Sequence, residues 1–207
     1  MFQTAAYIQR RTGPLDLGRF QYLQLLVCEY EASLTHSDLP LSAHQRHEAL
    51  TRLSNFAYDP INYDFLWDLN VADLFLDAIH VDAADPLARE YAMGGLCNFC
   101  LDPRVQAYLL DADGLRIVIE CLGTGSITTV LSALSILWFV SQCGHFDQIA
   151  SNKPLIEYVK QAAALDMNLS KVVVVEEKKS RDYEAEVRQS VIVLAQLCVS
   201  DWHPQIN

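Results

Sequence analysis

Apolar residues recur along most of this chain at the three- and four-residue spacing of helix faces. Ala49, Leu53 and Phe56 stand at i, i+4 and i+7, and Ala92, Leu96 and Phe99 repeat the set. The small Ala in each set lets a neighbouring helix approach. Upstream, Leu17 to Ser33 predicts a helix with Phe20, Leu23, Val27 and Tyr30 on one face and Leu26 beside it. Downstream, Ala133, Leu137 and Val140 predict another helix, Leu155 to Ala164 the next, and Val187 to Val199 the last. That last helix carries Val191, Leu194 and Leu197/Cys198 on one face.

The helices are punctuated at a fixed interval. Leu53-Ser54-Asn55-Phe56 is followed by Asp59-Pro60, and Leu96-Cys97-Asn98-Phe99 is followed by Asp102-Pro103, 43 residues later. The residue before a proline is driven out of the α region, so a helix must stop there. Asp is also a good N-cap and Pro is tolerated at the first helical position, so each Asp-Pro ends one helix and starts the next. Tyr63, Leu66 and Leu69 continue the first unit, as Val105, Tyr108 and Leu109 continue the second. Short helices follow over Asp73 to Ile79 and Leu115 to Leu122, and Gly123 and Gly125 then break the chain. A period near 43 falls in the range of HEAT and armadillo units. A third unit recurs at an offset of 41, without the Asn, and Cys143-Gly144 closes its helix.

From Leu137 to Leu194 the spacing exceeds the period, and the excess lies around Lys171 to Lys179. This predicts an inserted loop near residues 165–183. Residues 1–15 are expected to form a flexible tail, and 16–207 a single helical-repeat domain with His36 to Leu41 as a linker. The expected fold is all-α, an armadillo-type right-handed superhelical solenoid of about three to four repeats. The first helix caps its open end.

Composition narrows the function. The chain has 207 residues, of which 51% are apolar and 20% charged, an ordinary globular balance. Twenty-six acids oppose fifteen bases, for a net charge of −11. Phosphate neutralisation supplies most nucleic-acid affinity, and no basic cluster dense enough for it stands out. The charge reads as a solvated surface or as steering toward a basic partner. The longest apolar run, Ile127 to Val140, is too short to span a bilayer, which needs about 20 residues. It reads as a buried helix. No secretory leader pattern opens the chain, so the six cysteines are expected to be free thiols in a reducing compartment.

Few residues are placed for chemistry. Cys97 and Cys100 have the CxxC spacing, but two further zinc ligands are missing. The pair closes a helix instead of opening one, where the dipole raises a thiol pKa. The acids around Asp113-Gly114 read as a turn, and they lack the alternating ligands of a calcium loop. His44 and His47 share a helix face without a third ligand and read as surface residues. No nucleophile and base are implied, and no cofactor, metal or catalytic residue is expected. The candidates for partner binding are Asn55, Tyr58, Asp59, Asn98, Trp138 and Phe139. An Asn amide offers both donor and acceptor, so Asn55 and Asn98 either pair with a bound chain or tie neighbouring helices together. Aromatics are enriched at binding hot spots.

The unit resembles the armadillo repeat, in which an Asn on the third helix lines a groove. Gly18-Arg19-Phe20-x-Tyr22-Leu23-Gln24-x-Leu26-Val27-x-Glu29 resembles the leading segment of the small armadillo repeat-containing protein seven family. So do Asn55-Phe-Ala-Tyr-Asp-Pro60 with Asn62-Tyr63, Asp73-Leu-Phe-Leu-Asp77, Gly94-Gly-Leu-Cys-Asn98 and Thr129-Val-Leu-Ser-Ala133. The resemblance covers residues 18 to about 140. It implies a nuclear, non-enzymatic companion of the minor spliceosome in pre-mRNA splicing. Such a protein would work through an RNA-recognition-motif partner, with RNA contact indirect and no membrane or small-molecule substrate. The alternative is an armadillo-type adaptor for a basic peptide or another protein in transport or signalling. Nuclear-import receptors of that type carry Trp four residues before the groove Asn. Thr51 and Gly94 stand there instead, which weakens that alternative.

Overall fold

The computed structural model describes residues 18–35, 40–81, 85–111, 113–124, 126–143, 146–163 and 181–206. No strand occurs among them, and the protein is all-α as expected. Two helices lead, α1 (Arg19–Thr35) and α2 (Pro40–Ala57). Three triplets follow. The first holds α3 (Tyr63–Asp68), entered through a 3-10 turn at Pro60–Asn62, then α4 (Val71–Val81) and α5 (Pro86–Phe99). The second holds α6 (Pro103–Asp111), α7 (Gly114–Thr124) and α8 (Ile127–Gln142), and the third α9 (Phe146–Ala150), α10 (Lys153–Ala163) and α11 (Arg181–Ile206). The helices gather into two compact units, one ending at Val105 and the other beginning at Gln106.

Aspartate sets the junctions of the first unit. The Asp59 carboxylate accepts from the Ile61 amide at 3.3 Å and that of Asp102 from the Arg104 amide at 2.9 Å. Each satisfies a donor that a helix start leaves orphaned. Asp85-Pro86 is a third such pair, and its carboxylate accepts from the Ala88 amide at 3.1 Å. The tight turns before α4 and α7 have their own signature. Asn70 and Asp113, 43 residues apart, adopt φ of 53° and 55°. Asn and Asp enter this left-handed region most readily among residues with a side chain.

In the first unit, α2 packs against α1 and α5, and α4 packs against α5. Ala49, Leu50, Leu53 and Ala57 of α2 are buried, as are Ala88, Ala92, Met93, Leu96 and Phe99 of α5. Phe56, expected on the same face as Ala49 and Leu53, is only half-buried. On α1 the buried residues are Leu23, Leu26, Tyr30 and Ser33. Leu26 therefore joins the core face, and Phe20 and Val27 flank it half-buried. Gly95 permits the close approach of these layers. A Cβ there would lie 2.5 Å from Ser54 Oγ and 2.8 Å from Phe75 Cε2.

In the second unit α8 packs against α7, α9 and α11, and α10 against α11. Ala133, Leu137 and Val140 are fully buried, as their spacing predicts. Four expectations need correction. Gly123 lies inside α7, and the next helix is started by Ser126, whose Oγ accepts from the Thr129 amide at 3.2 Å. Residues 146–150 form a helical turn that no period announces. α11 is longer than its apolar pattern at both ends. It buries Val191, Ala195, Cys198 and Trp202, and it leaves Leu197 48% exposed. Leu41, assigned to a linker, lies within α2. The expected tail at 1–15 lies outside the described residues, as does most of the expected insert at 165–183. No helix among the described residues is long and apolar enough to cross a membrane.

Candidate functional site

Helices α2 and α5 lie side by side, so the two repeated strings share a surface. The two asparagines nevertheless differ. Asn55 is exposed, and its amide makes no hydrogen bond among the described residues. Asn98 is half-buried and donates from Nδ2 to the Ser54 carbonyl oxygen at 3.2 Å, which ties α5 to α2. Its backbone oxygen accepts from the Tyr63 hydroxyl at 3.0 Å. Burial, then the Asp102 and Asp59 carboxylates, push the Tyr63 phenol up to about 12. It therefore remains a donor at neutral pH.

The positions four residues before each Asn carry only small residues, Thr51 and Gly94. Thr51 is half-buried, and its hydroxyl donates back to the His47 carbonyl at 2.7 Å. A Cβ at Gly94 would meet nothing within 4 Å, so the α5 backbone there is open to approach. Tyr58 is 62% exposed, and Asp59 is half-buried with its carboxylate committed to the Ile61 amide.

The margins are fixed by ion pairs. Asp85 accepts from Arg46 Nη2 at 3.1 Å and from His47 Nε2 at 2.8 Å. Burial pushes the Asp85 carboxyl up, but the Ala88 amide, His47 and Arg46 outweigh it and hold it below the usual carboxylate range. His47 is thus a tie between α2 and the start of α5, not a plain surface histidine. Asp102 is held low in the same way, by Arg104 against burial. Arg104 also reaches Asp64 at 2.9 Å and stacks over the Trp67 ring at 5.3 Å.

Trp138 and Phe139 belong to the second unit. Both are half-buried, with ring centroids 5.4 Å apart. Trp138 donates from Nε1 to Asp201 at 3.0 Å, and Gln142 donates to the same oxygen at 3.2 Å, so this pair is anchored to α11. Of the six candidate residues, Asn55, Tyr58, Asp59 and Asn98 come together around α2 and α5. Cys97 is half-buried and Cys100 buried. Sequence reasoning missed Leu101, which is 51% exposed 43 residues after Tyr58. The period itself would have found it. It also missed Asp85, which a search for every Asp-Pro would have found.

No family model matches the chain. Armadillo repeat-containing protein 7 of Mus musculus is 39% identical over 128 residues, which cover 62% of this chain and 60% of that protein. The chain thus spans about three-fifths of the length of the curated relative it matches. The repeated strings, the helix triplets and this identity converge: over about three-fifths of its length the chain is similar to armadillo repeat-containing protein 7.

Proposed function

We propose that this protein is a non-enzymatic scaffold that binds another protein through the α2–α5 surface, acting in the nucleus in pre-mRNA splicing by the minor spliceosome. The observation that carries the binding reading is Asn55. A helix interior gains nothing from an exposed Asn, which costs about 0.6 kcal/mol against Ala. Its unengaged amide supplies a donor and an acceptor to an incoming chain. The splicing assignment, with an RNA-recognition-motif protein as the partner, is what the resemblance carried by the strings quoted above implies. A net charge of −11 suits a scaffold that leaves RNA contact to that partner.

Purification of the native protein with its associates tests this. An RNA-recognition-motif protein or other splicing factor should co-purify, and its absence refutes the splicing reading. Within the complex, Asn55→Ala should weaken partner binding while the free protein keeps its stability or gains up to about 0.6 kcal/mol from helix propensity. Asn98→Ala should cost binding and, through loss of the Ser54 tie, about 1 kcal/mol of stability. Full affinity in both variants would move the contact off this surface.

A further inference from the structure

The turns that close α2 and α5 share a composition, Tyr58-Asp59-Pro60 and Leu101-Asp102-Pro103, 43 residues apart. In each the Asp carboxylate caps the following helix, and its two neighbours face solvent. Tyr58 is 62% and Leu101 51% exposed, and Pro60 and Pro103 are exposed beside them. Of the repeat register, Leu53, Leu66, Leu96 and Phe99 are completely buried, and Phe56 is half-buried. One exposed leucine means little, but the same register left open in two successive repeats marks a surface. The two turns adjoin. Tyr63 bonds the Asn98 carbonyl and stacks at 5.4 Å on Phe99, and Arg104 reaches back to Asp64.

Charge names the occupant. Residues 18–105 hold thirteen acids against five arginines and no lysine. Every one of those arginines is engaged within the unit. Arg19 lies 4.8 Å over the Phe56 ring, Arg46 pairs with Asp85 and Arg52 with Glu48. Arg89 bonds the Ile79 carbonyl at 3.3 Å, and Arg104 binds Asp102 and Asp64. Beside the turns, the Asp64 side chain is 83% exposed and Asp68 is exposed too. Such a surface repels acidic and phosphate-bearing ligands and attracts cations.

We propose that the two apolar-Asp-Pro turns form a docking edge for a basic amphipathic protein segment, with apolar side chains set between Lys and Arg. The inference rests on the scaffold reading above and places a contact at the turns as well as on the Asn-bearing face. Apolar side chains of the segment pack on Tyr58 and Leu101, and its cations meet Asp64 and Asp68.

The test uses the full chain, isotope-labelled for amide NMR, and three synthetic peptides. One alternates Leu and Phe with Lys, one replaces each Lys with Glu, and one replaces each apolar residue with Ser. Only the first should bind, more weakly as salt rises, and it should shift the amides around 58–64 and 101–105. The double variant Tyr58→Ser/Leu101→Ser removes exposed side chains and keeps both caps. It should lose about tenfold in affinity for that peptide. Equal binding by the double variant or by the Glu peptide overturns the proposal, as does binding by none of the three. Shifts confined to Thr51, Asn55, Gly94 and Asn98 overturn the edge alone, because the scaffold reading is judged separately by co-purification.

Discussion

Adjacent glycines in α5 offer a controlled test of how closely its layers pack. Ala at either position gains the same helix propensity, about 1 kcal/mol over Gly. At Gly94 the new Cβ meets nothing within 4 Å, so the gain is unopposed. For a chain of this size it should raise the melting temperature by about 2–4 °C. At Gly95 the Cβ lands 2.5 Å from Ser54 Oγ and 2.8 Å from Phe75 Cε2. Phe75 is fully buried and has no room to swing. The Ser54 hydroxyl is held by its bond to the Tyr91 carbonyl at 2.7 Å, which joins α2 to α5. Overpacking of this kind costs about 1–3 kcal/mol. The propensity gain cancels between the two variants. Gly95→Ala should therefore unfold with a free energy about 1–3 kcal/mol below that of Gly94→Ala. Urea denaturation followed by far-UV circular dichroism measures the difference. Equal midpoints, or a more stable Gly95→Ala, would refute the close approach of α2, α4 and α5 at this point.

Two further outcomes are expected. Asp85→Asn keeps a capping side chain but loses the charge that binds Arg46 and His47, so stability at neutral pH should fall by about 1–3 kcal/mol. The Asp85 carboxyl is held low, so its contribution is fully present above its unfolded value of about 3.9. It is lost as pH falls through the lower folded value. The gap between wild type and variant should accordingly close in urea titrations below about pH 4, and a gap that persists there would contradict this. Alkylation of the native protein near pH 8, read by mass spectrometry, should label the exposed Cys28 and Cys143 first. Cys100, Cys121 and Cys198 are buried, and burial followed by Asp201 pushes the Cys198 thiol up to about 12, so early modification of Cys198 would contradict the packing of α11.

Local signals in the sequence carried much of the fold. The Asp-Pro pairs at 59 and 102 end helices by steric rule and start new ones by capping, so they are legible without any neighbour. Ala49, Leu53, Ala92 and Leu96 are as buried as their spacing implies. The reading weakens where a helix is apolar on several sides. On α11 Leu197 and Cys198 are adjacent, periodicity does not separate them, and packing against α8 and α10 selects Cys198. Pairs distant in sequence leave no local trace. Arg46 and Asp85 stand 39 residues apart and Trp138 and Asp201 stand 63 apart, so only folding brings them together. The candidate surface was half legible for the same reason. The repeat pointed to Asn55 and Asn98 together, but their unequal roles depend on Ser54 lying beneath one of them.

The apolar-Asp-Pro junction divides labour within three residues. Its central carboxylate faces inward and serves the helix that follows, so a change there is paid in stability. The preceding side chain, Tyr58 or Leu101, is mostly exposed. Substitution at 58 or 101 therefore costs the fold less than substitution at 59 or 102. On the docking reading proposed above, partner preference can be retuned at one surface position per repeat, 58 and 101, with the stack itself unchanged beneath them. If the edge docks a partner as proposed, fold and recognition can evolve at different speeds although they sit on neighbouring residues.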